Sequence, residues 1–329
     1  MGVTTDVRSG VAMAELPGPS VRARALARFL LAGVRPLADR LSLRGGQLRA
    51  LREAYEAVSV APLPRGTRVR AVSAVHGYGD VTGLWLTARE ADERAGVLLY
   101  LHGGGFVLGS LRTHRHLAGA LSQASGLPVL LLDYRRAPEH PYPAAADDAL
   151  AAFHWLLDQG YTAQQVVMAG DSAGGHLVAG LLAELTRRRA AMPGAAVLFS
   201  PFLDLTCADL DARDAARRDP YIPPARAREV AALYAGELGV DHPRLDVFRG
   251  TKRRWPPTLI QVGGAECLLA DAERLAAALT AAGAHCDLRV WPGQVHVFPA
   301  FAAILPEGRL AIRQAGEFVR ACRARELAA

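Results

Sequence analysis

The stretch Val166-Val167-Met168-Ala169-Gly170-Asp171-Ser172-Ala173-Gly174 decides how this chain is read. Four apolar residues run into Gly-x-Ser-x-Gly, and a helical pattern, Ala173–Arg189, follows at once. A serine between two glycines at a strand-to-helix junction fits a nucleophile elbow, where small residues let the backbone turn sharply and expose the hydroxyl. About seventy residues upstream, His102-Gly103-Gly104-Gly105 follows the apolar run Val97–Leu101. A glycine loop in that position supplies backbone N–H donors to an oxyanion. Each motif alone is a weak signal; together, in this order and each behind a strand-like run, they reinforce one another. The plainer reading of Ser172, a helix cap in a tight turn, leaves the glycine loop unexplained.

Outward from these motifs the chain alternates short β-rich runs with longer helical patterns. The strands are expected at Val69–Val75, Gly83–Thr87, Val97–Leu101, Val129–Asp133, Val166–Ala169, Ala196–Ser200, Thr258–Val262 and Asp287–Trp291. Helices are expected at His114–Ser125, Pro143–Asp158, Ala173–Arg189, Asp271–Ala282 and Pro306–Ala324. Continuous apolar strands are those covered on both faces. The alternation therefore predicts an α/β fold with a mostly parallel eight-stranded sheet and right-handed crossovers. The short segment His76–Thr82 predicts an antiparallel start. Two stretches break the pattern: residues 1–60 read as helices, and 204–250 as a long helix-containing insertion. Long insertions are seldom idle loop, so both are expected to form a cap over a core of residues 61–203 and 251–329.

An activated serine needs a base, and the base needs an orienting group. Four histidines follow Ser172. His176 lies one turn into the same helix, His242 falls in the insertion, and His285 sits at the wrong end of a strand. His296 lies in a loop beyond the strand ending at Trp291, on the side where open α/β sheets place their chemistry. The acid is expected after the strand Thr258–Val262, where Glu266 is favoured and Asp271 is the alternative. Asp271 also reads as a carboxylate at a helix start. The oxyanion donors are expected from the backbone of Ala173, Gly104 and Gly105, with glycine required because a Cβ would block the approach to the substrate oxygen.

Composition excludes other classes. A length of 329 residues allows one large core, and a mean hydropathy of +0.12 suits a globular chain. The net charge of +6 comes from scattered arginines, with Lys252 the single lysine, and no nucleic-acid-binding motif accompanies them. Gly103-x-Gly105 meets Leu108 where a dinucleotide fingerprint needs its third glycine, and no P-loop lysine is present. His114-x-His116 lacks a third metal ligand in register. Four scattered cysteines need no disulfide framework and suit a reducing, cytoplasmic setting. No secretory leader is expected at the N-terminus. The Val21–Leu41 run is too charged for a membrane span, although its arginines could meet an acidic membrane surface.

These residues resemble the bacterial hormone-sensitive-lipase-like α/β-hydrolases. The similarity rests on His102–Phe106 with Gly109-Ser110 behind it, on Asp133–Pro141, on Gly170–Gly175, on Ser200–Leu205 and on the segments around Glu266 and His296. It spans roughly residues 60–325. The resemblance implies an α/β-hydrolase sheet, a helical cap from the N-terminus and a mid-chain insertion, and hydrolysis of short- to medium-chain esters with no cofactor or metal. It also implies pairing into a homodimer, with a small-molecule ester as substrate. Two departures stand out: Glu266-Cys267-Leu268 replaces the Asp-Pro-Leu of many members, and Arg136 replaces a common leucine in a segment that reads as structural. The thirty-residue interval from Glu266 to His296 is the usual one. The same triad would also serve a deacetylase, an amide hydrolase or an acyltransferase in natural-product metabolism, and the fold alone would also serve a non-catalytic binding protein.

Overall fold

The structure, a computed structural model, describes residues 16–43, 45–58 and 61–327. Eight strands form one sheet: β1 (Arg68–His76), β2 (Gly79–Thr87), β3 (Val97–Leu101), β4 (Val129–Leu132), β5 (Val166–Asp171), β6 (Ala195–Phe199), β7 (Thr258–Gly263) and β8 (Cys286–Trp291). Their order is β1-β2-β4-β3-β5-β6-β7-β8, with β2 antiparallel to both neighbours and every later pairing parallel. The hairpin is tighter than its sequence suggested. β2 starts at Gly79, paired with His76, so only Gly77 and Tyr78 make the turn. Gly79-Asp80 carries no apolar signal, which hid the start of the strand.

β3 shows why the sheet is central. Its five residues are all buried, and successive side chains leave on opposite faces. Leu98 and Tyr100 join α4 (Leu111–Ser125) and α10 (Pro306–Leu327) in one core, while Leu99 and Leu101 join α5 (Ala144–Asp158), α6 (Ala173–Arg187) and α9 (Leu269–Ala281) in the other. α4 begins three residues ahead of its periodic pattern because Ser110 caps it, accepting the Arg112 and Thr113 amides at 3.1 and 3.3 Å.

Chain order reverses between β3 and β5: the path leaves β3 outward to β4, then crosses back over β3 to β5. A crevice at the carboxyl ends of strands is expected at such a switch point. The two sequence motifs flank it, in the loop after β3 and the turn after β5.

The described parts of the two stretches outside the alternation pack beside the loops that follow these strands. The N-terminal part comprises α1 (Val21–Phe29), a π-helical turn (Leu30–Val34), α2 (Arg35–Arg40) and α3 (Gly45–Val58). The insertion holds α7 (Leu210–Ala216) and α8 (Pro224–Ala235). Ala23 and Leu30 pack with Trp291, Val295 and Phe298 beside the loop after β8, and Leu43 and Leu48 pack with Val107 and Ala137. Among the described residues no helix is long and apolar enough to cross a membrane.

Candidate active site

Register brings the candidate residues to one edge of the sheet. Leu101 of β3 faces Gly170 of β5, Asp171 faces Phe199 of β6, and Gly263 of β7 faces Trp291 of β8. The segments that follow these strands therefore emerge side by side.

Ser172 is the turn itself. Its φ of 51° and ψ of −118° lie where non-glycine residues are rare. Its amide extends the ladder to the Phe199 carbonyl at 2.9 Å, and its carbonyl accepts from Phe202 at 3.0 Å. Its side chain makes no capping hydrogen bond to α6, so a helix-capping role does not account for it. A Cβ at Gly174 would stand 1.9 Å from the Leu101 carbonyl oxygen. The glycine is needed because the helix enters directly against β3.

The glycine loop is fixed to this elbow by Asp171, the unnamed residue of Gly-x-Ser-x-Gly. Its buried carboxylate accepts the Gly103 amide at 3.0 Å and the Tyr100 hydroxyl at 2.7 Å, with His114 Nε2 at 3.5 Å. Burial pushes this carboxyl up, but the His114 charge and hydrogen bonds from His114 and Tyr100 outweigh it, leaving it below its ordinary value. Beyond Gly103 the loop closes on itself, with Leu108 N–H donating to the Gly104 carbonyl at 2.8 Å. Among the described residues no acceptor takes the N–H of Gly104, Gly105 or Ala173. The expected reason for glycine is corrected at Gly104, where φ is +117° and a Cβ would meet the Leu108 carbonyl group at 2.5 Å. The loop's own path, not the approach of a substrate, excludes a side chain there. His102, stacked on Tyr134 at 4.3 Å, is held by burial near a pKa of 3 and is therefore neutral.

The Asp133–Pro141 segment braces the loop from outside. Tyr134 donates to the His102 carbonyl at 2.7 Å, Arg136 to the Gly109 carbonyl at 2.5 Å and the Ala137 amide to the Phe106 carbonyl at 3.0 Å.

On the far side, Glu266 and His296 meet. Glu266 Oε2 lies 2.6 Å from His296 Nδ1, with both side chains buried. The other oxygen, Oε1, accepts from Ser200 Oγ at 2.7 Å and from the Gly263 amide at 2.5 Å. Ser200 Oγ in turn accepts the Val297 amide at 3.0 Å, so one hydroxyl ties the acid to the histidine loop. Burial alone would push the His296 imidazole down. The Glu266 carboxylate, by charge and hydrogen bond and helped by Asp219 and Asp171, leaves it above its ordinary value.

Asp271, the alternative acid, faces elsewhere. Its Oδ2 accepts the amides of Leu203 and Asp204 at 2.6 and 2.9 Å, and burial pushes its pKa up to about 7. His176 is buried edge-on to Phe106 and Tyr234, His242 is half-buried in the insertion and His285 is exposed, and His116 faces the Ala300 carbonyl at 2.8 Å. Sequence reasoning missed Asp171, Ser200, Asp219 and Tyr221. The ring of Tyr221 lies 6.2 Å from that of His296, and Asp219 accepts the Cys267 amide at 2.7 Å.

Comparison with known proteins agrees with this architecture. Residues 98–300 match the family described by the α/β-hydrolase fold. The chain is 39% identical over 281 residues to an acetyl-hydrolase of Streptomyces hygroscopicus, covering 84% of this chain and 91% of that one. It is 36% identical over 264 residues to the esterase LipU of Mycobacterium tuberculosis, covering 78% and 89%. The crystal structure of an esterase from the bacterial hormone-sensitive lipase family superposes with a TM-score of 0.82 at 36% identity, covering 93% of this chain and 99% of that one. The chain is thus a hydrolase that belongs to the α/β-hydrolase family, in its hormone-sensitive-lipase-like branch of carboxylesterases and acetyl-hydrolases.

Proposed function

We propose that this protein hydrolyses carboxylic esters of short- to medium-chain acids through an acyl-enzyme on Ser172. His296 takes the Ser172 proton as the hydroxyl attacks the ester carbonyl, then gives it to the departing alcohol; water repeats the cycle on the acyl-serine. Glu266 holds the Nδ1–H tautomer and stabilises the imidazolium. The amides of Gly104, Gly105 and Ala173 receive the oxyanion. The observation that carries this reading is the 2.6 Å Glu266–His296 contact, together with a serine held in an elbow whose helix it does not cap.

Asp271 is left out of the triad because its bonding oxygen is already engaged by two backbone amides. The N-terminal helices and the insertion serve as a cap that sizes the pocket. This is supported by Val230 of α8, which stands 3.0 Å from where a Gly105 Cβ would lie, and by Tyr234 stacked on Phe106 at 3.8 Å. Similarity to an acetyl-hydrolase supports the short end of the acyl range. Four unpaired cysteines support a reducing, cytoplasmic setting.

The test is turnover of p-nitrophenyl acetate, butyrate, octanoate and palmitate by the wild type and by Ser172→Ala. Turnover should peak on the shorter esters, and the variant should lose about 10⁴-fold or more in kcat. Wild-type rates in Ser172→Ala would overturn the mechanism.

A further inference from the structure

We propose that Asp219, a residue of the insertion, is a positioning residue for the Glu266–His296 pair and that Arg35 of α2 holds it in place. The proposal rests on the triad reading above. Asp219 is fully buried, and its two carboxylate oxygens face two different parts of the site. Oδ2 accepts the Cys267 amide at 2.7 Å, the peptide N–H directly after Glu266. Oδ1 accepts the amides of Tyr221 and Ile222 at 2.7 and 2.8 Å, fixing the turn that sets Tyr221 beside the His296 ring. One side chain thus registers the acid and the roof above the histidine against each other.

The carboxylate has a built support. Arg35 is only 3% exposed. It donates to the Asp219 carbonyl at 2.6 Å and reaches both oxygens of Asp214 at 2.9 and 2.8 Å. Asp214 accepts the Asp219 amide at 2.8 Å. The backbone of Asp219 is therefore clamped on both sides, by a guanidinium from the N-terminal region and a carboxylate from α7. A bidentate guanidinium of this kind fixes direction as well as distance. The acid loop of the core is completed by groups that neither the core nor the insertion supplies alone.

The position after the acid gives this weight. A proline there would have no N–H to donate. Cys267 supplies the donor, and the Asp219 carboxylate takes it. A buried carboxylate accepting three amides is a strong constraint on the backbone that offers them.

The test is a double-mutant cycle on full-length enzyme with p-nitrophenyl butyrate. Asp219→Asn presents an amide N–H toward one of its backbone donors, and should lower kcat by about 10- to 100-fold. In a Glu266→Gln background the same substitution should cost less than about threefold, because the pair it positions is already broken. Equal losses in both backgrounds would overturn the proposal. Should Asp219→Asn fail to fold, Cys267→Pro removes the donor amide, while also fixing φ there and restricting Glu266, and Cys267→Ala removes the thiol but keeps the amide. The proline variant should lose kcat and the alanine variant retain it, and equal activity of the two would equally overturn the proposal. Full activity of Ser172→Ala is a separate outcome that sinks the triad reading itself.

Discussion

The floor of the site and the layer above it are held by different physics. The floor is backbone against backbone: α6 starts so close to β3 that Gly174 has no room for a methyl group, and Asp171 ties the elbow to the glycine loop through one amide. The upper layer is stitched by arginines: Arg35 to Asp214 at 2.8 Å, Arg52 to Glu139 at 2.8 Å, Arg228 to Asp211 at 2.5 Å and Arg213 to Glu273 at 3.1 Å. Arg228–Asp211 and Arg213–Glu273 face solvent, where each is worth ~0–1 kcal/mol, whereas Arg52 is half-buried and also donates to the Val107 and Ala137 carbonyls. The floor tolerates no added atom, whereas the exposed stitches of the layer above are individually dispensable.

The sharpest way to break this contrast is Gly174→Ala. Its methyl would collide with the Leu101 carbonyl, so it should cost about 3 kcal/mol or more of stability and abolish turnover, as read by thermal melting and ester hydrolysis. A well-folded, active Gly174→Ala would show that the floor yields.

Next come the two carboxylates beyond β7. Glu266→Gln should lower kcat by about 100-fold or more. Asp271→Asn keeps an oxygen for the Leu203 and Asp204 amides and should stay within about threefold of wild type. The pH behaviour separates them further. In the wild type the acid limb of kcat/KM should lie above the ordinary histidine value of 6.5, and Glu266→Gln should move it down, because the imidazolium loses its partner. Asp271 titrates near 7 when folded against an ordinary 3.8, so its contribution to stability is present at low pH and lost as pH rises through that window. Denaturant melts at pH 5 and pH 8 should show Asp271→Asn gaining on the wild type as pH rises. A constant difference would mean that Asp271 is not buried as described.

The smallest effect belongs to the layer above. Arg228→Ala, which removes an exposed pair with Asp211, should change stability by less than about 1 kcal/mol and leave turnover on acetate and butyrate esters intact. A large loss would mean that the upper layer is as rigid as the floor.

The same contrast explains what could be read from the chain. The strands of the core carry their signal locally, as apolar runs ended by glycines, and all eight lie within a few residues of where the sequence puts them. Ser172 and His296 are marked by a motif and by position beyond a strand. Glu266 and Asp271 are not separable in this way: both carboxylates follow β7, and only the turn at Gly264–Glu266 aims one of them at His296. Ser200 reaches the Val297 amide across 97 residues and Asp219 reaches the Cys267 amide across 48, so neither leaves a spacing that a sequence pattern reveals. The insertion is legible as a helix-containing stretch, 204–250, but the bounds of its helices are not. Its two helices are short, and α8 packs Ala227, Ala231 and Tyr234 against residues distant in sequence.

Asp171 has a consequence for how such an enzyme can change. It joins the Ser172 turn to the glycine loop by accepting the Gly103 amide, so the serine and the loop are held to one another directly. The arginine-stitched layer reaches that loop through a side chain, Arg52 donating to the Val107 carbonyl at 2.8 Å. On the function proposed above, variation aimed at new acyl or alcohol groups belongs in α8, where Val230 and Tyr234 meet Gly105 and Phe106. A library confined to that helix can alter what is admitted while the bond-breaking geometry underneath is inherited intact.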